Sequence, residues 1–558
     1  DLQTGDEPAF GLSCDLYHTG DNPMKRQILP FFALLPLLSS ALAMTDDELQ
    51  AIAGQRFLGD RTGACVAVAV VEKTLARAYV CADPKQLPRI SPESAFEIGS
   101  VSKTMTAALL ADLIVQGKAS LDDPLDDYLP TGVKAPAFEG QKILLRHIVS
   151  QSSGLPVAPD FSTAKSMDNP YAQIDEASVW KTLSTAKLSR APGSQFEYSN
   201  YAMMLLSAVI ARRAGSDFET LMGTRLFNPT GMQGAFINQM PKGIRLVQGH
   251  TPNGRPAQAW TFQDNVSGVG GVKATLDDMV RYLQAQLGQS ESSISPALRL
   301  SQQPVKTESP VPMAMNWMLA PLDDRRVYVH EGGTGGFSAF AAFDPKTGRG
   351  VVVLRDTALT SIGGLSTLGN HLLDARLPLG KPRKLATPDA GLWASIAGNS
   401  AMLPGLDMQL TVEDGRLFAQ ASGQAKYEMG YDSAGDFFPL EFDAVLRPSK
   451  RTEGGYLLVF LQSGAAYPLR RLDAPAEGVA PEAPLSPAQI AEYAGLYPLA
   501  PGFALKVFIE NGALMAQATG QAAFVLKPTG KDRFTADAFG IEIRFARDAT
   551  DQVSSLEL

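Results

Sequence analysis

Residues 96–110 read FEIGSVSKTMTAALL, and this stretch decides the fold and the chemistry that the chain can support. A short β-type run ends at Gly99, and a long apolar helical run follows, with Ser100 and Lys103 at the junction. Residues three apart on a helix lie on one face about a turn apart, so the Lys103 amine can reach the Ser100 hydroxyl. Serine is a weak nucleophile near neutral pH and needs such a neighbour. The pattern predicts an activated serine at the start of a core helix.

The Ser-x-x-Lys spacing alone has little specificity, because three further copies of it occur in the chain. They start at Ser162, Ser178 and Ser184 and lie in polar, proline-flanked or surface-helix contexts. Only the Ser100 copy is followed by a long apolar helical run, residues 104–115, which can anchor it in a core. Without support from elsewhere, the motif fits a helix cap beside a solvated lysine equally well.

Two further segments follow in order along the chain. One is a Tyr-x-Asn, formed by Tyr198 and Asn200, that leads into an apolar helical run. The other is the glycine-rich stretch VHEGGTGGFSAF, residues 329–340, with His330 and Gly332 near its start. Together with the Ser-x-x-Lys, these ordered motifs resemble the active-site set of class C β-lactamases and their relatives, the family VIII carboxylesterases and the D-aminopeptidases.

The resemblance spans residues 62–377 and implies an α/β (α+β) catalytic domain of the serine β-lactamase/DD-peptidase type. In that fold an antiparallel sheet packs beside a helical subdomain, and the active site lies between them. The resemblance implies that Ser100 attacks the substrate carbonyl and that Lys103 and Tyr198 share the proton transfers. A nearby ammonium would favour phenolate at Tyr198. Which of the two is the resting base stays open at this point.

The same resemblance implies roles for the remaining site residues. The backbone N–H groups of Ser100 and Gly333 would form an oxyanion hole. Asn200 would orient the lysine amine and the substrate, and His330 would meet a substrate carboxylate or leaving group. The substrate-binding residues implied are Asn200, His330 and Gly332.

The third motif departs from class C β-lactamases, which have Lys-Thr-Gly where this chain has His330-Glu-Gly332. A literal Lys-Thr-Gly occurs at 346–348, but it follows Asp-Pro and precedes an apolar run, a context that predicts a hairpin turn. We therefore take His330 as the functional position. With a histidine at this position, the motif is similar to that of D-aminopeptidases and many esterase-like members of the family. This disfavours a dedicated β-lactamase.

Four functions remain open at this stage. The first is an exported hydrolase of carboxylic esters with possible β-lactam hydrolysis, and the second is a D-aminopeptidase or D-amino-acid amidase. The third is a dedicated class C-like β-lactamase, and the fourth is a non-catalytic penicillin-binding or sensor protein. The corresponding substrates are a small-molecule ester, a β-lactam or a D-amino-acid peptide. No cofactor is implied, and the oligomeric state is undetermined.

The composition and charge of the chain limit the classes of partner and metal that it is expected to bind. The net charge of −9 and the absence of a lysine–arginine block argue against nucleic acid. The histidines are scattered without ligand spacing, so no metal site is predicted.

The N-terminal sequence predicts export. Residues 24–43 combine a basic start, an apolar run and an Ala-Leu-Ala end, which is typical of a secretory signal peptide. The run is too short for a membrane anchor, so we expect a periplasmic or secreted protein with no anchor in the mature chain. Residues 1–23 are interpreted as a non-native upstream segment.

Cys65 and Cys81 flank a predicted hairpin that turns near Lys73, so they would face each other across its two strands. A cross-strand disulfide fits an exported protein, and two buried free thiols fit as well.

Beyond the catalytic region, the pattern changes to short alternating runs, which predict antiparallel β-structure. The segment GRLFAQASGQA at 415–425 matches GALMAQATGQA at 512–522, at a constant offset of 97 residues. We predict two small β-barrels, similar to the lipocalin-like modules appended to some members of the family, that pack against the catalytic domain or shape its mouth. The predicted boundaries are 44–378 for the catalytic domain, 379–390 and 473–487 for linkers, and 391–472 and 488–558 for the barrels.

Overall fold

The computed structural model describes residues 44–558 except 167, 359–364, 404–405, 443, 451–455, 463–464, 473–485, 501–502, 511, 519–522, 537–540, 549–550 and 558. The predictions for residues 1–23, for residues 24–43 and for most of the linker at 473–487 therefore lie outside the described residues. Within the described ranges, no helix is long and apolar enough to cross a membrane.

The strands before residue 360 build the sheets that carry the site. In chain order they are β1 (Cys65–Val71), β2 (Leu75–Cys81), β3 (Ser94–Glu97), β4 (Ala137–Phe138), β5 (Gln141–Lys142), β6 (Arg245–Leu246), β7 (Lys273–Thr275), β8 (Met318–Leu322), β9 (Arg325–Gly333), β10 (Ser338–Asp344) and β11 (Arg349–Arg355). The main antiparallel sheet has the order β2-β1-β11-β10-β9-β8 among the described residues. A smaller sheet, β6-β3-β7, adjoins the serine-bearing turn.

Helices cover both faces of the main sheet. In chain order the helices of this region are α1 (Asp46–Phe57), α2 (Ser102–Val115), α3 (Leu145–Val149), α4 (Glu176–Thr185), α5 (Asn200–Ala214), α6 (Phe218–Leu221), α7 (Asn228–Thr230), α8 (Leu276–Gln286), α9 (Ser295–Ser301) and α10 (Ser366–Leu373). Helices α1 and α10 pack on one face, where Val66, Val68 and Val70 of β1 point. The alternate residues Ala67 and Ala69 face the larger core that contains α2, α5 and α8.

This double coverage explains why β1 reads CVAVAVV without a polar residue, since both of its faces are buried. Helices α2 and α5 are likewise buried on nearly every side, which matches their continuous apolar sequence. The expected antiparallel sheet beside a helical subdomain is confirmed.

Two antiparallel modules follow the catalytic region. The first consists of α11 (Ala390–Ile396) and a closed barrel of β12 (Gly398–Leu403), β13 (Leu406–Glu413), β14 (Arg416–Ala421), β15 (Lys426–Tyr431), β16 (Phe437–Pro439), β17 (Val445–Lys450), β18 (Tyr456–Gln462) and β19 (Ala465–Arg471). The second consists of α12 (Pro487–Ala491) and a sheet, in sequential order, of β20 (Gly495–Ala500), β21 (Phe503–Glu510), β22 (Ala513–Ala518), β23 (Phe524–Gly530), β24 (Arg533–Ala536), β25 (Ile541–Arg547) and β26 (Val553–Glu557). The prediction of two small barrels is confirmed, with the first closed and the second nearly closed.

The sequence repeat corresponds to equivalent hairpins. Strands β13 and β14 and strands β21 and β22 occupy matching positions in the two modules, at the offset seen in the sequence. Gly415 (φ +71°) and Gly512 (φ +78°) adopt the left-handed conformation at the two turns, which glycine enters at little cost because it has no Cβ. The first barrel also contacts the catalytic region, because the Asn253 amide donates to the carbonyl oxygens of Pro439 and Phe442 at 2.8 and 2.9 Å.

Candidate active site

Ser100 lies in a single 3₁₀ turn, Gly99–Val101, between strand β3 and helix α2. Lys103, in the first turn of α2, donates from its Nζ atom to the Ser100 Oγ atom at 2.8 Å. The same amine donates to the carbonyl oxygen of Val269 at 2.6 Å. The two hydrogen bonds fix the lysine amine beside the serine hydroxyl, as the Ser-x-x-Lys spacing predicted.

The Lys103 amine is held in a form that suits a base. Its side chain is fully buried, and it makes no ion pair with a carboxylate in the described part of the chain. Burial lowers the pKa of Lys103 well below its ordinary value of 10.5, because a buried ammonium loses its hydration. A neutral amine has a lone pair and can accept the proton of Ser100.

Tyr198 completes the group around the serine. Its ring centroid lies 5.0 Å from the Nζ atom of Lys103. Burial raises the pKa of the Tyr198 phenol, and the hydrogen bond with the Ser100 hydroxyl offsets only part of that rise. This direction runs against the phenolate that a nearby ammonium would favour, because burial acts on Lys103 and Tyr198 alike to favour their uncharged forms.

His330 lies on β9, 3% exposed, with its ring centroid 6.4 Å from that of Tyr198. Its Nδ1 atom is 2.7 Å from the Glu331 carbonyl oxygen. Burial lowers the pKa of His330 to about 3. The histidine is therefore neutral at physiological pH.

Lys346, the competing third-motif lysine, lies elsewhere. It stands in the hairpin turn between β10 and β11 and donates to Asp324 at 2.9 Å. Both partners are exposed. The prediction of a turn at this Lys-Thr-Gly is confirmed, and His330 is the residue that the structure places beside Tyr198.

The glycines of the third motif let β9 approach the serine turn closely. A Cβ atom on Gly332 would collide with the carbonyl oxygen of Ile98 and lie 3.0 Å from the Ser100 backbone nitrogen. Gly99, at φ +50°, lies against Gly333, whose backbone nitrogen would be 2.6 Å from a Cβ on Gly99. Only glycine fits such contacts. The backbone of Gly332 and Gly333 thus lies against the turn that carries Ser100, where the expected oxyanion hole requires the N–H groups of Ser100 and Gly333.

Asn200 is the first residue of α5, which begins there because the Ser199 hydroxyl caps the helix by accepting from the Ala202 N–H at 2.9 Å. No hydrogen bond joins the side chains of Asn200 and Lys103, both of which the structure describes. The second acceptor for Lys103 is instead the Val269 carbonyl. Sequence reasoning missed this residue, because a backbone carbonyl leaves no side-chain signal.

An aromatic cluster, also missed, lies beside the site. The ring centroid of Tyr171 lies 5.2, 5.3 and 5.0 Å from the ring centroids of Phe161, Trp260 and Phe262, respectively. Tyr171 is close enough to Tyr198 to contribute to the raised pKa of its phenol. Tyr171 and its aromatic neighbours therefore form a largely apolar cluster in the neighbourhood of Tyr198.

The two cysteines face each other in the register of β1 and β2, and the structure joins Cys65 and Cys81 in a disulfide. Of the two alternatives left open by the sequence, the structure has the cross-strand bond.

The fold and the site define a serine hydrolase with a β-lactamase-like catalytic domain. The sequence profile of the Beta-lactamase family matches residues 50–359, more than half of the chain, and the chain belongs to this family. It is 28% identical over 335 residues to a β-lactamase of Pseudomonas fluorescens, covering 53% of this chain and 88% of that protein. It is 29% identical over 332 residues to the D-alanyl-D-alanine-carboxypeptidase/endopeptidase AmpH of Escherichia coli (strain K12), covering 56% and 84%.

Similar solved structures include a β-lactamase/D-alanine carboxypeptidase from Yersinia pestis, with 24% identity, a TM-score of 0.47 and coverage of 58% of this chain and 97% of that one. A crystal structure of SurE has 20% identity and a TM-score of 0.46, and the match covers 76% of this chain and 98% of that one.

Proposed function

We propose that the chain is an exported serine hydrolase that forms an acyl-enzyme at Ser100 and cleaves carboxylic esters, with possible β-lactam hydrolysis. The observation that carries the proposal is the hydrogen bond between the Lys103 amine and the Ser100 hydroxyl, with the amine buried and its pKa lowered. A neutral amine at hydrogen-bond distance from a serine is a base in position for proton abstraction.

In the first half-reaction, Lys103 takes the proton of Ser100 while the serine oxygen forms a bond with the substrate carbonyl carbon. The negative oxygen of the tetrahedral intermediate accepts hydrogen bonds from the backbone N–H groups of Ser100 and Gly333, each worth a few kcal/mol. We assign to Tyr198 the proton donation to the leaving alkoxide, because its phenol stays protonated beside Ser100. The carbon–oxygen bond of the ester breaks, and water then hydrolyses the acyl-enzyme by the reverse sequence.

The preference for esters rests on the third motif. β-Lactams and the C-terminal D-alanine of a peptide carry a carboxylate, which a cation at this position would attract. His330 is neutral, with its pKa lowered to about 3, so it supplies hydrogen bonding without charge. The aromatic cluster around Tyr171 adds apolar contact area. Both features suit an uncharged acyl or alkoxy group.

The test compares turnover of p-nitrophenyl butyrate, nitrocefin and D-alanine p-nitroanilide by protein starting at Met44, with Ser100→Ala as the blank. The other Ser-x-x-Lys copies provide matched controls, because their lysines are exposed instead of buried. We expect dominant ester cleavage, no turnover in Ser100→Ala, and near-normal turnover in Ser162→Ala, Ser178→Ala and Ser184→Ala. Turnover that survives in Ser100→Ala would contradict the mechanism.

A second candidate is hydrolysis of D-amino-acid peptides or amides, favoured by the similarity to the peptidase AmpH. Dominant release of p-nitroaniline from D-alanine p-nitroanilide would select it, and dominant nitrocefin turnover would select a dedicated β-lactamase. Covalent labelling by a penicillin without turnover of any substrate would instead identify a penicillin-binding or sensor protein.

Export is the part of the proposal that rests on residues 24–43, with the Cys65–Cys81 disulfide as further support, since disulfides persist in oxidising compartments. N-terminal sequencing of the protein recovered from the periplasm or the medium tests it. We expect a mature chain that starts near Met44, and retention of residues 24–43 would contradict export by this segment.

A further inference from the structure

The segment that carries Tyr198 has no regular secondary structure of its own, so another part of the chain must set the position of its phenol. The backbone N–H groups of the two residues that flank Tyr198 both donate hydrogen bonds to a single residue, Gln151. The Glu197 N–H donates to the backbone carbonyl of Gln151 at 2.7 Å, and the Ser199 N–H donates to the Oε1 atom of Gln151 at 2.8 Å. Gln151 therefore holds the chain on either side of the phenol.

Gln151 is itself rigidly held. It is 1% exposed, and its Nε2 atom donates to the Oδ1 atom of Asn316 at 2.8 Å. The Asn316 N–H in turn donates to the Val149 carbonyl at 2.7 Å, and its side-chain amide donates to the sulfur of Met203 at 3.3 Å. Every polar atom of the Gln151 amide group lies in this chain of contacts.

The backbone at this point is strained. Gln151 and Asn316 have φ values of +55° and +59°, a region that residues with a side chain seldom adopt. Such strain persists where the surroundings impose it, commonly at functional sites. Here the two strained residues bind each other and support the segment that bears Tyr198.

We propose that Gln151 is a positioning residue that holds the Tyr198 phenol beside Lys103 and Ser100. The inference rests on the proposed function, because it assigns Gln151 to the proton transfers of Tyr198. Displacing a catalytic group by about 1 Å can cost a hundredfold in rate. Loss of the Gln151 amide would leave the Ser199 N–H without its acceptor and free the loop to make such a displacement.

The test is a double-substitution cycle. Gln151→Asn keeps an amide and tolerates the left-handed backbone, but it is one methylene too short to bridge Ser199 and Asn316. Gln151→Met keeps the size and removes both hydrogen bonds. Each is combined with Tyr198→Phe, and stopped-flow acylation rates are measured alongside thermal melting. Gln302→Asn is the matched control, because Gln302 also makes two amide hydrogen bonds but contacts Gln286 instead.

We expect each Gln151 substitution to lower the acylation rate about 10–100-fold with KM changed less than twofold. In the Tyr198→Phe background the same substitution should change the rate less than twofold, and Gln302→Asn should do so in either background. Equal losses in both backgrounds would overturn the inference, because Gln151 would then act independently of the phenol. If one Gln151 variant fails to melt cooperatively, the other decides the cycle. Turnover in Ser100→Ala would instead overturn the proposed function.

Discussion

Two regions of the molecule bury charged side chains and treat them in opposite ways. At the active site, Lys103 is buried without a carboxylate partner among the described residues, and burial lowers its pKa. At the joint between the catalytic region and the first barrel, Asp432 and Asp436 are buried against guanidinium groups. A buried charge without a partner gives up its charge, whereas one with close partners keeps it. The first arrangement favours the neutral amine that the proposed mechanism needs, and the second joins the first barrel to the catalytic region through ion pairs.

At the joint, two aspartates and three arginines form a network of ion pairs. Asp432 lies 3.1 Å from Arg61, which precedes β1, and 3.5 Å from Arg383 of the segment before the barrel. Asp436 lies 2.6 Å from Arg383 and 2.7 Å from Arg447 of the barrel itself. Burial acts to raise the pKa of Asp436, but Arg447 and Arg383 outweigh it and lower the pKa overall. Three parts of the chain are thus tied to two carboxylates.

Replacing Lys103 tests the active-site side of this comparison and should have the largest effect of the substitutions considered, a loss of activity. Lys103→Met removes the base and keeps the side-chain volume. We expect kcat/KM for the ester to fall at least about a thousandfold, in line with loss of a general base. Because the methionine removes a buried polar group, the free energy of unfolding should stay equal or rise. Ester kinetics and urea denaturation measure the two quantities. Loss of stability together with activity would contradict the expectation that Lys103 serves activity and not stability.

Replacing Asp432 tests the joint side of the comparison and should lower stability without lowering activity. Asp432→Ala leaves Arg61 and Arg383 short of a buried partner, and we expect the unfolding free energy to fall by about 3–5 kcal/mol. The kcat/KM of the protein that remains folded should change less than twofold, because the joint does not contact Ser100. Urea denaturation followed by tryptophan fluorescence, with kinetics below the transition, checks both. Normal stability in Asp432→Ala would mean that the ion pairs contribute little.

The pH dependence sharpens the comparison further. With its pKa lowered well below 10.5, Lys103 is protonated only at pH values below that lowered pKa, so kcat/KM should rise with pH through a limb well below pH 10.5. The unfolded chain binds a proton at this lysine up to about pH 10.5 while the native state does not. The free energy of unfolding therefore rises with pH in that window, by at most about 1.4 kcal/mol per pH unit. Lys103→Met should lack this contribution, and an unchanged slope in urea denaturation at several pH values would refute the assignment.

The smallest effect should come from the exposed Lys346. Its pair with Asp324 is solvated, so Lys346→Ala should change the unfolding free energy by less than about 0.5 kcal/mol and the activity less than twofold. His330→Ala is the companion variant and should reduce kcat/KM clearly more. Comparable losses in the two variants would show that the third motif had been placed at the wrong residue.

Several features follow from the sequence because they are local. The spacing of Ser100 and Lys103 on one helical face, the hairpin turn at Lys346, and the facing positions of Cys65 and Cys81 each depend on a few neighbouring residues. The repeated hairpins of the two barrels are equally local. The order of the three motifs along the chain then indicated the β-lactamase family.

Only the tertiary structure decided the properties that depend on distant atoms. The lowered pKa values of Lys103 and His330 arise from burial by segments far apart in the sequence, and burial likewise raises the pKa of Tyr198, against the expected phenolate. The contacts of Val269 with Lys103, and of Gln151 with the loop around Tyr198, are made largely by backbone groups, which every sequence contains. Side-chain identity reveals which groups can react, whereas desolvation and backbone hydrogen bonding, which set their protonation and position, exist only once the chain is folded.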